Sequence, residues 1–108
     1  MSNSLPPSIA AYIAGSNAHD PDACAACFSA DAVVIDEKRE RKGSADIRAW
    51  KDEVTKKYQP VLEVLKSVTA DGRTIVTGRV SGNFPGSPVE LSYAFTLKGD
   101  KIARLEIV

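Results

Sequence analysis

The sequence predicts an α+β fold: three N-terminal helices packed on a strongly curved, mostly antiparallel sheet. Three observations carry this. Apolar residues recur at helical spacing as far as Tyr58, interrupted by one β-branched run. From Val61 onward the period is two. Asp71-Gly72, Pro85-Gly86 and Gly99-Asp100 punctuate that second half with turn signals. Helices and strands segregated in this way form α+β layers. Three helices do not close fully over a strongly bent sheet, so a cone with an apolar cavity at its mouth is expected. The 108 residues make one domain, 1–108, large enough for a single core.

Pro6 and Pro7 suit a first helical turn, where a missing N–H is no loss. Ile9, Tyr12, Ile13 and Ser16 follow at i, i+3, i+4 and i+7, and Gly15 is a weak spot in a helix fraying by Asn17 to His19. Asp20-Pro21 starts a second, short helix as N-cap and first residue. Cys24, Cys27 and Phe28 share one of its faces, and Ser29 to Asp31 break it. Ala32 to Asp36 reads as a strand with Ala32, Val34 and Asp36 on one side.

The mixed charges from Asp36 to Lys42 predict a solvated loop or short hairpin arm. Gly43 turns the chain and Ser44 caps a third helix over 45–58, with Ile47, Trp50, Val54 and Tyr58 along its apolar stripe. Pro60 ends it. Val61 to Ala70 forms a strand whose facing the pattern leaves open, because Val64 and Leu65 are both apolar. In the next strand Val76, Val80 and Phe84 face one way, and Thr77, Arg79, Ser81 and Asn83 the other. Val89, Leu91, Tyr93, Phe95 and Leu97 alternate cleanly in the strand after that. Ile102 to Val108 closes the sheet, with Ala103, Leu105 and Ile107 on one side.

Composition narrows the function. Fourteen basic and fourteen acidic residues balance to zero, against the basic excess of a nucleic-acid or membrane-surface binder. No apolar run approaches the ~18 residues of a membrane span. The opening Met-Ser-Asn-Ser-Leu-Pro-Pro has no secretory pattern. Two cysteines without a second pair fit a reducing cytoplasm. Cys24-Ala-Ala-Cys27 falls inside a helix, where it reads as two buried small hydrophobes rather than a redox pair. His19 is the sole histidine, and with two cysteines it makes a poor zinc set, so no metal and no cofactor is expected.

The order of these elements resembles the nuclear transport factor 2-like superfamily, in its SnoaL-like and ketosteroid isomerase-like branch. The resemblance is carried by Tyr12, by Asn17 with Asp20 and Asp22, by Phe28-Ser-Ala-Asp-Ala at 28–32, and by Asp36. It continues through Gly43-Ser-Ala-Asp-Ile-Arg-Ala-Trp at 43–50 and Gly-Asp-Lys-Ile at 99–102. It spans nearly the whole chain. It implies the cone-shaped fold, a small hydrophobic ligand and a homodimer, whose flat outer face would carry Thr77, Ser81, Ser92, Ala94 and Thr96. Laid on the isomerase branch, the oxyanion-hole tyrosine falls on Tyr12 and the general base on Asp36. The branch's protonated aspartic acid falls on or beside Tyr93, a departure, and its usual proline after the base is replaced by Glu37.

The resemblance thus implies proton transfer next to a carbonyl: Asp36 takes the proton, and Tyr12 with Tyr93 donates hydrogen bonds where charge develops. Trp50, Val54, Tyr58, Phe84, Phe95 and Val34 are the expected ligand-binding wall. The residues also allow a plainer reading. Tyr12 and Tyr93 are then core aromatics, Asp36 is a strand-end carboxylate paired with Lys38 or Arg41, and the protein is a non-catalytic carrier or interaction module. Arg79, on the outer face, does not fit the Asp-Arg-Asp set of the epoxide hydrolase branch.

Overall fold

A computed structural model describes residues 5–108; residues 1–4, where the N-terminal stretch read for a secretory signal begins, lie outside them. The elements are α1 (Pro7–Asn17), α2 (Pro21–Ala25), β1 (Phe28–Asp36), β2 (Arg39–Lys42), α3 (Gly43–Tyr58), β3 (Val61–Ala70), β4 (Arg73–Ser81), β5 (Val89–Lys98) and β6 (Lys101–Ile107). The six strands form one sheet in the order β2-β1-β6-β5-β4-β3, antiparallel except where β1 runs beside β6. The expected α+β architecture is the one observed.

Helix α1 buries Ile9, Tyr12, Ile13 and Ser16, the predicted stripe. Gly15 is there for packing: a Cβ on it would lie 3.1 Å from the Cβ of Ala23 and 3.3 Å from the Cys24 nitrogen, so its bareness lets α2 approach. Asp20 caps α2 by accepting from the Ala23 N–H at 3.1 Å. Arg48 of α3 donates to Asp22, tying the third helix to the second.

Four expectations shift in detail. Phe28 opens β1 rather than closing α2: it pairs with Ile102, and the register breaks between Phe28 and Val33. Ser44 lies in the first turn of α3 and gives no side-chain cap, because the helix already starts at Gly43. β4 stops at Ser81, so Asn83 and Phe84 sit in the turn beyond it. Ala103 is not inward with Leu105. The β5–β6 register slips between Thr96 and Leu97, which places Ile102 and Leu105 both in the core.

A comparable slip between Val64 and Lys66 settles the facing of β3. Leu62 and Val64 point inward before it, Ser67 pairs with inward Val76 after it, and Leu65 takes up the extra residue. The two-residue turn at Glu37 and Lys38, both with positive φ, folds β2 back on β1. The charged stretch is therefore a hairpin arm.

Asn17 joins the end of α1 to β3. Its side-chain amide donates to the Leu62 carbonyl at 3.0 Å, and its oxygen accepts from the Leu62 N–H at 2.8 Å. Asn17→Ala leaves both backbone groups without these partners, for an expected loss of ~1–3 kcal/mol in urea unfolding. An unchanged midpoint would mean that solvent replaces both bonds at no cost.

Candidate functional site

The sheet register sets out the floor of the site. On the inner face, Asp36 of β1, Ile107 of β6, Tyr93 of β5 and Val76 of β4 form one cross-strand row. Asp36 and Tyr93 are thus two strand spacings apart, roughly 10 Å at the backbone, with Ile107 between them. The next row deeper holds Val34, Leu105, Phe95 and Thr74. In the other direction come Leu91 with Gly78, then Val89 with Val80.

Between this floor and the helices lies a cavity of about 500 Å³. Its helical wall is Tyr12 and Ser16 of α1 with Trp50, Lys51, Val54 and Tyr58 of α3. Its sheet wall includes Asp36, Leu62, Val80, Tyr93 and Ile107, and its rim includes Glu37, Phe84 and Pro85. Tyr58 and Phe84 meet edge to face at 5.8 Å across the rim. A smaller charged recess of about 80 Å³, walled by Arg39, Arg41, Glu53 and Lys57, shares Asp36 and Trp50 with the main cavity.

Of the nine residues expected here, seven line the cavity: Asp36, Tyr12, Tyr93, Trp50, Val54, Tyr58 and Phe84. Val34 and Phe95 do not. Both are fully buried one row deeper, below the cavity floor. Phe95 supports the site instead, touching Tyr12 edge-on at 5.8 Å and stacking on Tyr93 at 6.3 Å. Tyr12 also meets Phe28 edge-on at 5.6 Å.

The side chain that bonds to Asp36 is not Lys38 or Arg41. Trp50 donates its indole N–H to Asp36 Oδ2 at 3.0 Å, which fixes the carboxylate at the boundary between apolar chamber and charged recess. Among the described residues, neither Tyr12 nor Tyr93 hydrogen-bonds its hydroxyl to another protein group, so both phenols are free to donate to a ligand. Burial raises the pKa of both tyrosines first, and negative neighbours add to it: chiefly Tyr93 for Tyr12, and Asp36 for Tyr93. They stay protonated donors at neutral pH.

Lys51 is the residue that sequence patterning missed. It is only 4% exposed, donates to Ser16 Oγ at 3.0 Å, and lies over the rings of Tyr12 and Trp50 at 5.3 and 5.2 Å. Burial lowers its pKa, against weaker pulls upward from Cys24 and Asp36. The signal was present: Ile47, Trp50, Lys51 and Val54 fall at i, i+3, i+4 and i+7, so this lysine stands inside the buried stripe.

The remaining candidates stay outside. Arg79 pairs with Glu63 at 3.2 Å on the outer face. His19 sits in the turn after α1, its ring nitrogen 3.1 Å from the Pro60 carbonyl oxygen. Cys24 and Cys27 are free, buried thiols. No group of three or more His, Cys, Asp or Glu clusters as a metal site among the described residues, and none of their helices is long and apolar enough to cross a membrane.

The buried acids set an alkaline limit. Cys24 is pushed from the ordinary 9.0 up to about 11 by burial, partly offset by Lys51. Burial also raises Cys27. Unfolding restores ordinary values, so above about pH 9 the native chain holds more protons than the unfolded one, and stability falls as pH rises. Tyr12 and Tyr93 extend the fall above pH 10, whereas Lys51, shifted down, opposes it. Denaturant unfolding is expected to show a declining midpoint from pH 9 to 11, with a shallower decline in Cys24→Ala. A midpoint that rises would mean that Lys51 dominates.

Comparison with known proteins agrees with this architecture. The family model of the SnoaL-like domain matches residues 9–105. A candidate polyketide cyclase of Sinorhizobium meliloti is similar at 40% identity over 96% of this chain and 95% of that one, with a TM-score of 0.92. A Catenulispora acidiphila protein with a ketosteroid isomerase-like fold, solved with trimethylamine, superposes with a TM-score of 0.87 at 18% identity, over 97% of this chain and 86% of that one. An NTF2-like protein of Cytophaga hutchinsonii gives 0.81 at 13%, over 100% and 91%. At those two identities the likeness concerns the fold alone. No curated protein matches the sequence significantly. With the family model covering nearly all of α1 through β6, the chain belongs to the SnoaL-like domain family, on the nuclear transport factor 2-like fold.

Proposed function

We propose that this chain binds a small, largely apolar carbonyl compound in its cavity and removes a proton from the carbon next to the carbonyl. The observation that carries the reading is a shared chamber: the Asp36 carboxylate and the unpartnered phenols of Tyr12 and Tyr93 line the same 500 Å³ space. Asp36 acts as the base, held by the Trp50 indole. Tyr12 and Tyr93 donate to the oxygen as it becomes an enolate, and their raised pKa keeps their protons in place. Enolate formation is the first step of both double-bond isomerisation and aldol ring closure, and the candidate cyclase from Sinorhizobium meliloti, at 40% identity, supports a substrate that can do the latter.

The direct test is turnover of a β,γ-unsaturated ketone to its conjugated isomer, followed by near-ultraviolet absorbance, with binding read from the fluorescence of the single tryptophan, Trp50. Binding with turnover supports the enzyme. Binding without turnover leaves a carrier.

The assembly we propose is a homodimer through the outer sheet face. Cross-strand pairs Thr77–Ser92 and Arg73–Thr96 present Thr77, Ser92 and Thr96 there, and Ala94 pairs with Ile75. Exposed Val68 of β3 continues the surface, and Val61 pairs with Ser81 at its edge. Sedimentation is expected to give a dimer that Ala94→Arg dissociates; a wild-type monomer removes the proposal. Free thiols at Cys24 and Cys27 support a reducing compartment such as the cytoplasm.

A further inference from the structure

We propose that Lys51 is a nucleophilic amine that captures one carbonyl of a 1,3-dicarbonyl ligand in this cavity, which makes β-dicarbonyl compounds the chain's substrate class. The inference rests on the carbonyl-binding reading above and deepens it.

The geometry is specific. Lys51 is buried yet lines the cavity, and its amine has one protein hydrogen bond among the described residues, to the neutral Ser16 hydroxyl at 3.0 Å. No carboxylate pairs with it there, whereas Lys42 and Lys56 are exposed and sit in ion pairs with Glu40 and Asp52. An ammonium buried without a counter-charge is costly, and shedding the proton relieves that cost. The faces of Tyr12 and Trp50 favour the charged form only weakly by comparison. Burial accordingly lowers the proton affinity of Lys51. A lysine desolvated in an apolar pocket gives up its proton more readily than an exposed one, and such a lysine is the group that forms imines with carbonyl carbons.

Two sets of groups argue for two carbonyls. Lys51 stands on the helical wall beside Tyr12, and Tyr93 on the sheet floor. One carbonyl carbon meets the amine while the second oxygen accepts from a phenol. The amine nitrogen adds to the first carbonyl carbon, the π pair moves to oxygen, and one amine proton passes to that oxygen. Loss of the hydroxyl with a proton from the central carbon, for which Asp36 is the base in the cavity, releases water and leaves a conjugated enaminone. No electrons are gained or lost.

The test uses 1-phenyl-1,3-butanedione with the wild-type chain near neutral pH. The expected result is a near-ultraviolet absorbance band and an intact-mass increase of one probe less one water. A digest at neutral pH should map that increase to the Lys51 peptide, and Lys51→Arg should abolish it. Should that variant fail to fold, the wild-type peptide map still decides. Quenching of Trp50 without an adduct on Lys51 overturns the nucleophile while leaving the carbonyl-binding cavity in place. Absence of both overturns the nucleophile and the dicarbonyl class together. Adducts spread over exposed Lys56 and Lys57 at the rate of Lys51 also overturn it, because burial then confers no reactivity.

Discussion

Asp36→Asn is expected to lower turnover of a β,γ-unsaturated ketone by about 10²–10⁴-fold, the range lost when a positioned base is removed. The substitution separates chemistry from structure cleanly. An amide oxygen in place of Oδ2 can still accept from the Trp50 indole, so the 3.0 Å contact has a substitute. What the amide lacks is the capacity to take a proton. Folding, measured by circular dichroism and urea unfolding, should stay close to wild type, and so should quenching of Trp50 by the ketone. Equal turnover in both proteins would remove Asp36 as the base. Trp50→Phe supplies the complementary case: the carboxylate remains but loses its fixed orientation, so a smaller loss is expected.

Phe95→Ala is expected to be the most damaging single truncation near the site, at ~3–5 kcal/mol of stability. Phe95 is fully buried and stands between the two phenols, edge-on to Tyr12 and stacked on Tyr93. Its removal opens a void that neighbouring rows of the sheet cannot fill without shifting, and it frees both rings. Against a typical net stability of about 5–15 kcal/mol, that loss is a large share. Phe84→Ala is the control. That ring is only partly buried at the cavity rim, where its edge contact is with Tyr58, so truncation should weaken ligand binding more than folding. Both effects are read from urea unfolding and Trp50 fluorescence titration. If Phe95→Ala proved as mild as Phe84→Ala, the division between cavity floor and supporting layer would be wrong.

That division is where sequence reading reached its limit. Period-two alternation correctly assigned Tyr93 and Phe95 to the same face, and Asp36 and Val34 likewise, but it carries no information on depth along the strand. Only the pairing of β1 with β6 and of β6 with β5 ranks Asp36 and Tyr93 above Val34 and Phe95. Bulges are similarly silent in a pattern. The slips at Val64/Lys66 and at Thr96/Leu97 reset which residues face inward, and neither leaves a compositional trace. Caps and turns were legible where chemistry is local, as at Asp20-Pro21 and Asp71-Gly72.

Lys51 is a different kind of miss. A charged residue invites assignment to the solvated side of a helix, and polarity overrode position. The i+4 spacing from Ile47 places it inward regardless of charge. Asp36 was found through its place at the end of an apolar strand, yet its partner, Trp50, was expected only as lining. A hydrogen bond between two elements distant in the chain has no one-dimensional signature.

The parallel pairing of β1 with β6 also orders events during folding. Strands β3, β4 and β5 each pair with the preceding or following neighbour and can zip together as hairpins. β1 has no such option on its inner edge: it waits for a strand from the far end of the chain, and closing so long a loop is slow. The sheet is therefore two unjoined halves, β1 with β2 and β3 through β6, until β1 docks along β6, with Asp36 on one half and Tyr93 on the other. Closure of the cavity coincides with that docking, so the walled space between the two halves should emerge as the final act of maturation rather than gradually.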